Sequence, residues 1–362
     1  MTKNFHEKPF SEGTLLKLQL FRLYAAEWLP VFVSKEDASW PEQINIVDFF
    51  AGKGTDANGT PGSPLIFRDI VKAQYLSKWR TGVKVNLHFS DADKGKVDHL
   101  QNLLQQDEIK VPSVNITVRH ADFSARFKEL KPMLADQKSA NLLVIDQFGI
   151  KQVPPNVFNE IIQLGSTDVL IFVSSTTLRR FGHLPEIQRV AMPAYEKPTD
   201  YYKAHLAVAD SFRQMIPKGT EYHIGSFSIK KGSNVHGVLF GTRHPLGIDK
   251  FLSVAWKIDP VVGIANFDIN REGISPDQDF LFPGMEVPNK VQLFEEELED
   301  AIATGKCTDE QQMINLCHAR EVCRSHAAPV ISRMKKAGRL SCAFRVPDIK
   351  RFNDPRTVTA TP

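Results

Sequence analysis

Apolar positions in the first half of the chain fall into short runs separated by amphipathic stretches. Ile44-Asn45-Ile46-Val47-Asp48-Phe49-Phe50 is one such run, closing on glycines. Val83 to Phe89, Ser113 to Val118, Leu142 to Asp146 and Asp168 to Ser174 are the next. Between them, Lys94 to Gln105, Phe123 to Leu134 and Pro155 to Leu164 space their apolar residues as helices do. Apolar strands alternating with helices predict a parallel sheet covered on both faces. Ahead of them, Glu12 to Leu29 reads as an amphipathic helix. Leu16, Leu20 and Leu23 lie along its face, Leu15, Leu18 and Phe21 widen that face, and Pro30 ends it.

Tyr195 to Met215 reads as a further helix, and Tyr222 to Lys230 with His236 to Thr242 as a hairpin joined through Gly-Ser-Asn. Five parallel strands plus an antiparallel hairpin is the arrangement of class I methyltransferases, so the fold class expected is α/β and Rossmann-like. Residues 259–288, rich in Pro, Gly and Asp, are expected to be a linker between a 1–258 domain and a 289–352 domain. The latter reads as three short helices (Val291–Ala303, Asp309–Leu316, Ala327–Ala337) and a strand pair within Arg339 to Val346. That is the outline of a winged helix-turn-helix. The tail, 353–362, is expected to be disordered.

Composition narrows the function classes. The 362 residues carry a net charge of only +3, which argues neither for nor against a nucleic-acid partner. The charge is uneven, however. His318 to Arg356 holds ten Lys/Arg against three acids, and Glu295 to Asp300 holds five acids in six residues. No apolar run is long enough to span a membrane, and Met1 to Glu12 has no apolar signal core, so a cytoplasmic protein is expected. The four cysteines are Cys307, Cys317, Cys323 and Cys342. The N-terminal region can therefore hold neither a cysteine nucleophile nor a Cys-ligated cluster, which excludes cytosine C5 methylation through a thiol adduct. The spacing of Cys317, His318, Cys323 and His326 is too wide for a zinc site, and buried thiols are expected.

In open parallel sheets ligands lie at the carboxyl ends of the strands. Here those ends carry Asp48, Asp91, Asp122 and Asp146. Val47-Asp48-Phe49-Phe50-Ala51-Gly52-Lys53-Gly54-Thr55 is the strongest local signal. Its small residues let the backbone turn sharply and approach a ligand, and its order is not that of a phosphate-binding P-loop. Asp48 can orient the turn amides or hold a ligand's ammonium. Asp91 ends the second strand, where an acid accepts from ribose hydroxyls. Asp93 competes for that role or caps the helix from Lys94. Asp122 is placed either to contact an adenine amine or to cap the helix from Phe123. Asp146 and Phe148 stand where amino-group methyltransferases carry D-P-P-Y, whose acid accepts from the target amine and whose ring stacks on the flipped base. Both prolines are absent here. Ser325 to Lys336 interleaves Ala328, Val330, Ile331 and Met334 with basic positions. Arg324, Arg333, Lys335, Lys336 and Arg339 are thus candidates for nucleic-acid contact, or for a solvated face.

Assembled, these residues resemble the three-Cys-motif partner proteins of bacteria and phages. Lys8-Pro9 with the Lys17-containing helix looks like that family's opening. Val47 to Gly54 followed by Pro61-Gly62-Ser63-Pro64-Leu65 is similar to its D-x-F-A-G-x-G and S-P-L stretch, and Val238 to Gly247 to its last strand and following turn. Val144-Ile145-Asp146-Gln147-Phe148-Gly149 is similar to its D-P-F-G, with Gln147 in place of the proline. The resemblance covers most of residues 5–258. It implies a methyltransferase-like fold and a genetic partner that resembles radical S-adenosylmethionine (SAM) enzymes and carries three cysteines. The expected cofactor is SAM, held by Asp48, Phe50, Gly52, Gly54, Asp91 and Asp122, with Asp146 and Phe148 presenting the amine of a nucleic acid, DNA foremost. Two other expectations stand beside it. One is a scaffold of the same fold that only binds DNA or the partner protein; the other is a magnesium-dependent nuclease using Asp91, Asp93 and Asp146.

Overall fold

The computed structural model describes residues 8–34, 39–77, 79, 82–146, 155–173, 204–232, 234–274 and 287–361. Gln147, Phe148, Gly149 and the start of the helix expected from Tyr195 lie outside them. The chain divides into two compact units, Met1–His244 and Pro245–Pro362.

In the first unit, β1 (Gln43–Asp48), β2 (Lys84–Asp91), β3 (Val114–His120), β4 (Ser139–Ile145) and β5 (Ser166–Val173) are joined by β6 (His223–Lys231) and β7 (Asn234–Thr242) in one sheet. Its order is β3-β2-β1-β4-β5-β7-β6. The first five strands are parallel, and β7 runs antiparallel to both β5 and β6. Five parallel strands plus an antiparallel hairpin in a Rossmann-like sheet is the arrangement expected from the sequence; the strand order is added by the structure. The helices among the described residues of the unit are α1 (Glu12–Trp28), α2 (Pro30–Val33), α3 (Ser63–Ser77), α4 (Lys94–Gln106), α5 (Phe123–Leu134), α6 (Pro155–Gln163) and α7 (Ala204–Gln214). Phe127, Leu130, Phe158, Ile161, Ile162 and Phe212 bury against Val47, Leu143, Ile145 and Val169 of the strands.

Register is set by a polar row the apolar pattern could not announce. Asn115, Asn86, Asn45 and Asn141 lie opposite one another on β3, β2, β1 and β4, and Thr167 follows on β5. Their amides form one chain: Asn115 donates to Asn86 at 3.1 Å, Asn86 to Asn45 at 2.9 Å, Asn45 to Asn141 at 2.8 Å, and Asn141 to Thr167 at 2.9 Å. A slip of one residue would set a buried amide against an aliphatic side chain, so the row pins the pairing.

The face that α1 buries differs from the expected one. Lys17, Leu20, Phe21, Tyr24, Ala25 and Trp28 are buried, while Leu15 is 45% exposed. The stripe is rotated because Lys17 and Tyr24 each find a buried carboxylate, Asp146 and Asp168. Tyr24 donates to Asp168 at 2.6 Å, and Thr242 donates to the other oxygen at 2.5 Å, so β5, β7 and α1 meet on one acid.

The second unit holds α8 (Pro245–Ile258), α9 (Asn289–Ala303), α10 (Glu310–Ala319), α11 (Ala327–Lys336), β8 (Leu340–Cys342) and β9 (Val358–Ala360). The division thus places α8 with the C-terminal residues, whereas the sequence reading placed it with the sheet. The first part of the expected linker is folded: the Asp259 carboxylate accepts from the amides of Val261, Val262, Ile264 and Ala265, and Val262, Ile264 and Ala265 are buried. The expected strand pair within Arg339 to Val346 is corrected as well. β8 pairs with β9, which lies in the tail expected to be disordered. Val358 is buried and its amide donates to the Thr308 carbonyl, while an isolated bridge joins Asp309 to Thr357. Cys307 and Cys317 are buried among Phe294, Leu298, Met313, Val330 and Met334.

Candidate functional site

At the carboxyl end of β1 the chain turns through Gly52 and Gly54, with φ of 65° and 93°. The positive φ at Gly54 favours glycine, and a Cβ there would stand 2.8 Å from Leu100 Cδ1 in α4, so that methyl would have to shift. Gly62 closes the turn, its amide donating to the Gly54 carbonyl at 2.7 Å just ahead of α3.

Asp48 is fully buried, and its two oxygens are taken by the Ser63 hydroxyl at 2.6 Å and the Phe50 amide at 3.0 Å. Of the two roles open to it, it therefore performs the first: it holds the turn. Burial pushes its carboxyl up to about 7 and the neighbouring Asp146 carboxylate adds to this, against the Ser63 and Phe50 hydrogen bonds and the Lys17 charge. Phe50 stacks its ring on Phe123 at 5.9 Å.

Asp91 sits at the end of β2 and accepts from the Gly52 amide at 3.0 Å and the Asp93 amide at 2.9 Å. A carboxylate has about four acceptor positions, so Asp91 keeps two for a ligand's hydroxyls. Beside it the Ser90 hydroxyl is buried without a partner among the described residues. Asp93 caps α4 through the Lys96 amide, and Asp122, exposed at the end of β3, caps α5 through the Ala125 amide at 3.0 Å. The Ala121 amide donates to the Asp91 carbonyl, which ties the chain just before Asp122 to the end of β2.

Asp146 follows β4. Its Oδ2 accepts from the Lys17 ammonium, and both side chains are buried. Its Oδ1 is buried with no partner among the described residues. Lys17 also lies 4.6 Å from the centroid of Phe172, on β5. His236 of β7 is stacked on that ring at 5.4 Å. Burial, helped by Lys231 and Lys17, lowers the His236 imidazole to about 4, so it is neutral at pH 7. Lys17, Phe172 and His236 were not assigned to the site from the sequence. Lys17 could have been found as the one cation inside an otherwise apolar helical stripe.

The residues singled out for nucleic-acid contact lie in the second unit and most are engaged within it. Arg324 forks onto Asp249 at 2.6 and 3.1 Å and also donates to the Pro347 carbonyl. Arg333 reaches Glu295 and Glu299, Arg339 reaches Glu299, and Lys335 donates to the Phe344 carbonyl. Lys336 is exposed. The acidic run on α9 thus lies against the basic end of α11, which two separate charge counts along the sequence could not show.

No family model matches the chain, and no curated protein matches it. Several solved structures are similar to it. The SAM-dependent methyltransferase from Agrobacterium tumefaciens is 10% identical over 63% of this chain and 61% of its own length, with a TM-score of 0.33. This chain thus spans less than two thirds of that protein. The O-methyltransferase TomG from Streptomyces achromogenes, in complex with SAM, is 12% identical over 63% of this chain and 79% of its own, with a TM-score of 0.35. The magnesium protoporphyrin IX methyltransferase from Synechocystis, with bound SAH, is 11% identical over 64% and 86%, with a TM-score of 0.33. What makes the present sheet methyltransferase-like is its own strand order.

Proposed function

We propose that the carboxyl ends of β1 to β4 bind SAM and direct its methyl group to an amine on a nucleic acid. The observation that carries this reading is the pairing of a glycine turn, latched to Asp91 through the Gly52 amide, with a carboxylate oxygen at Asp146 that is buried and unpartnered among the described residues. The residues fit the cofactor: Gly52 and Gly54 bring bare backbone to the methionine portion, Asp91 accepts from ribose hydroxyls, and Asp122 accepts from the adenine amine. Asp48 and Phe50 keep the turn in shape. When bound, SAM supplies a methyl group already activated by a sulfonium, which leaves as a neutral thioether. The chain then has to orient the acceptor and receive one proton. Asp146 Oδ1 accepts from the target N–H, and takes the proton as the new N–C bond forms and passes it to water. Phe148, outside the described residues, is proposed to stack on the base.

A winged helix is proposed for the second unit, a reading supported by the order helix, bridge strand at Asp309, two helices and the β8–β9 pair. We assign it the delivery of DNA, with Lys336 open and Arg333 and Arg339 available by exchange of their glutamate partners. The partner protein is proposed to be the three-cysteine radical-SAM-like one implied by the resemblance. Calorimetric titration of SAM and its demethylated product tests the cofactor assignment. Micromolar binding, lost in Asp91→Ala, is expected; no binding to the folded chain refutes it.

A second reading, a scaffold that binds but does not transfer, is favoured by the ion pair that neutralises Asp146 and by the acids laid against α11. The two part at Asp146→Ala, which abolishes turnover and spares DNA binding in the first and changes neither in the second.

A further inference from the structure

Three ionisable side chains are buried together where α1 meets the ends of β1 and β4: Lys17, Asp48 and Asp146. Both Asp48 oxygens are occupied by Ser63 and Phe50, and Asp146 Oδ2 is occupied by Lys17. Of these carboxylate oxygens, Asp146 Oδ1 has no partner at all among the described residues, and it is buried. A carboxylate oxygen only accepts, so whatever comes to it must donate. Lys17, which holds Asp146, also faces the Phe172 ring, on which the neutral His236 stacks; the His236 Nδ1 is likewise buried without a partner among the described residues. Asp146 thus offers a hydrogen-bond acceptor on a carboxylate whose charge Lys17 has already cancelled, and the same Lys17 is flanked by a flat ring with a second stacked on it.

We propose that Lys17 is a positioning residue that makes this site select an uncharged aromatic amine, such as the exocyclic amine of a nucleobase, over a protonated alkylamine. The inference rests on the methyl-transfer reading given above. Lys17 anchors one oxygen of Asp146, which leaves the other in a single orientation toward the acceptor. It also places a fixed positive charge beside the acceptor, so a second ammonium would have to enter a few ångströms from the first. An alkylamine is protonated at pH 7 and has no free electron pair, whereas a nucleobase amine is neutral. In the transfer the C–S bond breaks and its electron pair stays on sulfur. The amine nitrogen forms the new bond to carbon, and its proton leaves through Asp146 Oδ1 to water.

The test follows tritiated methyl groups from SAM into poly(A), poly(C), poly(U) and poly-L-lysine with the full chain. Label is expected in poly(A) or poly(C) and to be about a hundredfold lower in polylysine. It is expected to be equally low in poly(U), which has ribose hydroxyls but no exocyclic amine. Lys17→Met should lower kcat about a hundredfold at unchanged KM and SAM affinity, and Lys17→Arg should restore part of it. If Lys17→Met does not fold, Lys17→Met/Asp146→Asn removes both charges and should fold without transferring. Label entering poly(U) or polylysine in the wild type, or Lys17→Met as active as the wild type, overturns the proposal. SAM bound with no transfer to any of the four polymers overturns it and leaves the cofactor assignment standing. Absence of SAM binding overturns both.

Discussion

Asp48 offers the sharpest physical test, because its carboxylate is buried and only partly compensated. Folding raises its pKa from 3.8 to about 7, chiefly by burial. A group raised in the folded state contributes stability that is fully present below the unfolded pKa and is lost as pH rises through the folded one. The loss therefore falls between about pH 4 and pH 7, and at roughly 1.4 kcal/mol per pKa unit it totals on the order of 4 kcal/mol. Asp48→Asn keeps the shape and can still accept from Phe50 and bond to Ser63, but does not titrate. Urea unfolding of the first unit, followed by near-ultraviolet circular dichroism at pH 5, 6, 7 and 8, should show the wild type weakening over this range. The Asp48→Asn variant should weaken much less, the two curves diverging by a few kcal/mol at pH 8. Asp168, raised to about 6 by burial, titrates in the same window in both proteins and cancels in the difference. Parallel curves would refute the reasoning, since they would mean that Ser63, Phe50 and Lys17 fully compensate the buried charge.

Gly54→Ala should cost about 2–3 kcal/mol and abolish SAM binding, because a Cβ there meets Leu100 at 2.8 Å on a backbone with positive φ; thermal melts and calorimetry check both. Asn45→Ala breaks the amide row at its centre and leaves the Asn86 amide and the Asn141 carbonyl without their partner. A loss of about 2–4 kcal/mol is expected in denaturant unfolding, and a loss under about 1 kcal/mol would show that the row is not needed. Arg356→Ala removes the guanidinium bonded at 2.5 Å to the buried Glu310 and leaves that carboxylate only backbone amides, among them that of Asp348, so it should cost the second unit about 3 kcal/mol. Arg333→Ala breaks only an exposed pairing and should stay under about 1 kcal/mol in the same melts. Burial lowers the Lys290 ammonium to about 8, so the stability of the second unit should rise as pH goes from about 8 toward the unfolded value of 10.5. Lys290→Met should lose that rise.

Most of the sheet could be read before any coordinates because its strands are apolar on both faces and its helices on one. That periodicity survives whatever the strands pair with. The turn after β1 was legible for a related reason: glycines at positive φ are a local requirement, written where they act. The boundaries that failed were of another kind. β9 lies in a short polar tail, and only the distant Leu340 to Cys342 and the Thr308 carbonyl make Val358 part of a core. Asp259 turns the start of the expected linker into a folded loop through hydrogen bonds that no apolar pattern records.

The same division runs through the site. Asp48, Asp91, Asp122 and Asp146 could be singled out from the sequence because strand ends are where a parallel sheet places ligands, and strand ends follow from hydrophobic runs. Which acid holds the turn, which caps a helix and which keeps an open oxygen was decided by tertiary structure. Asp48 lost its access to solvent when α3 brought Ser63 over it, and Asp146 acquired Lys17 from a helix far earlier in the chain. The basic residues near α11 likewise met the acids of α9 only through packing. Local physics, the period of apolar residues and the allowed backbone of glycine, is carried by neighbours in sequence. Charge compensation depends on separation in space, and that exists only once the chain has folded.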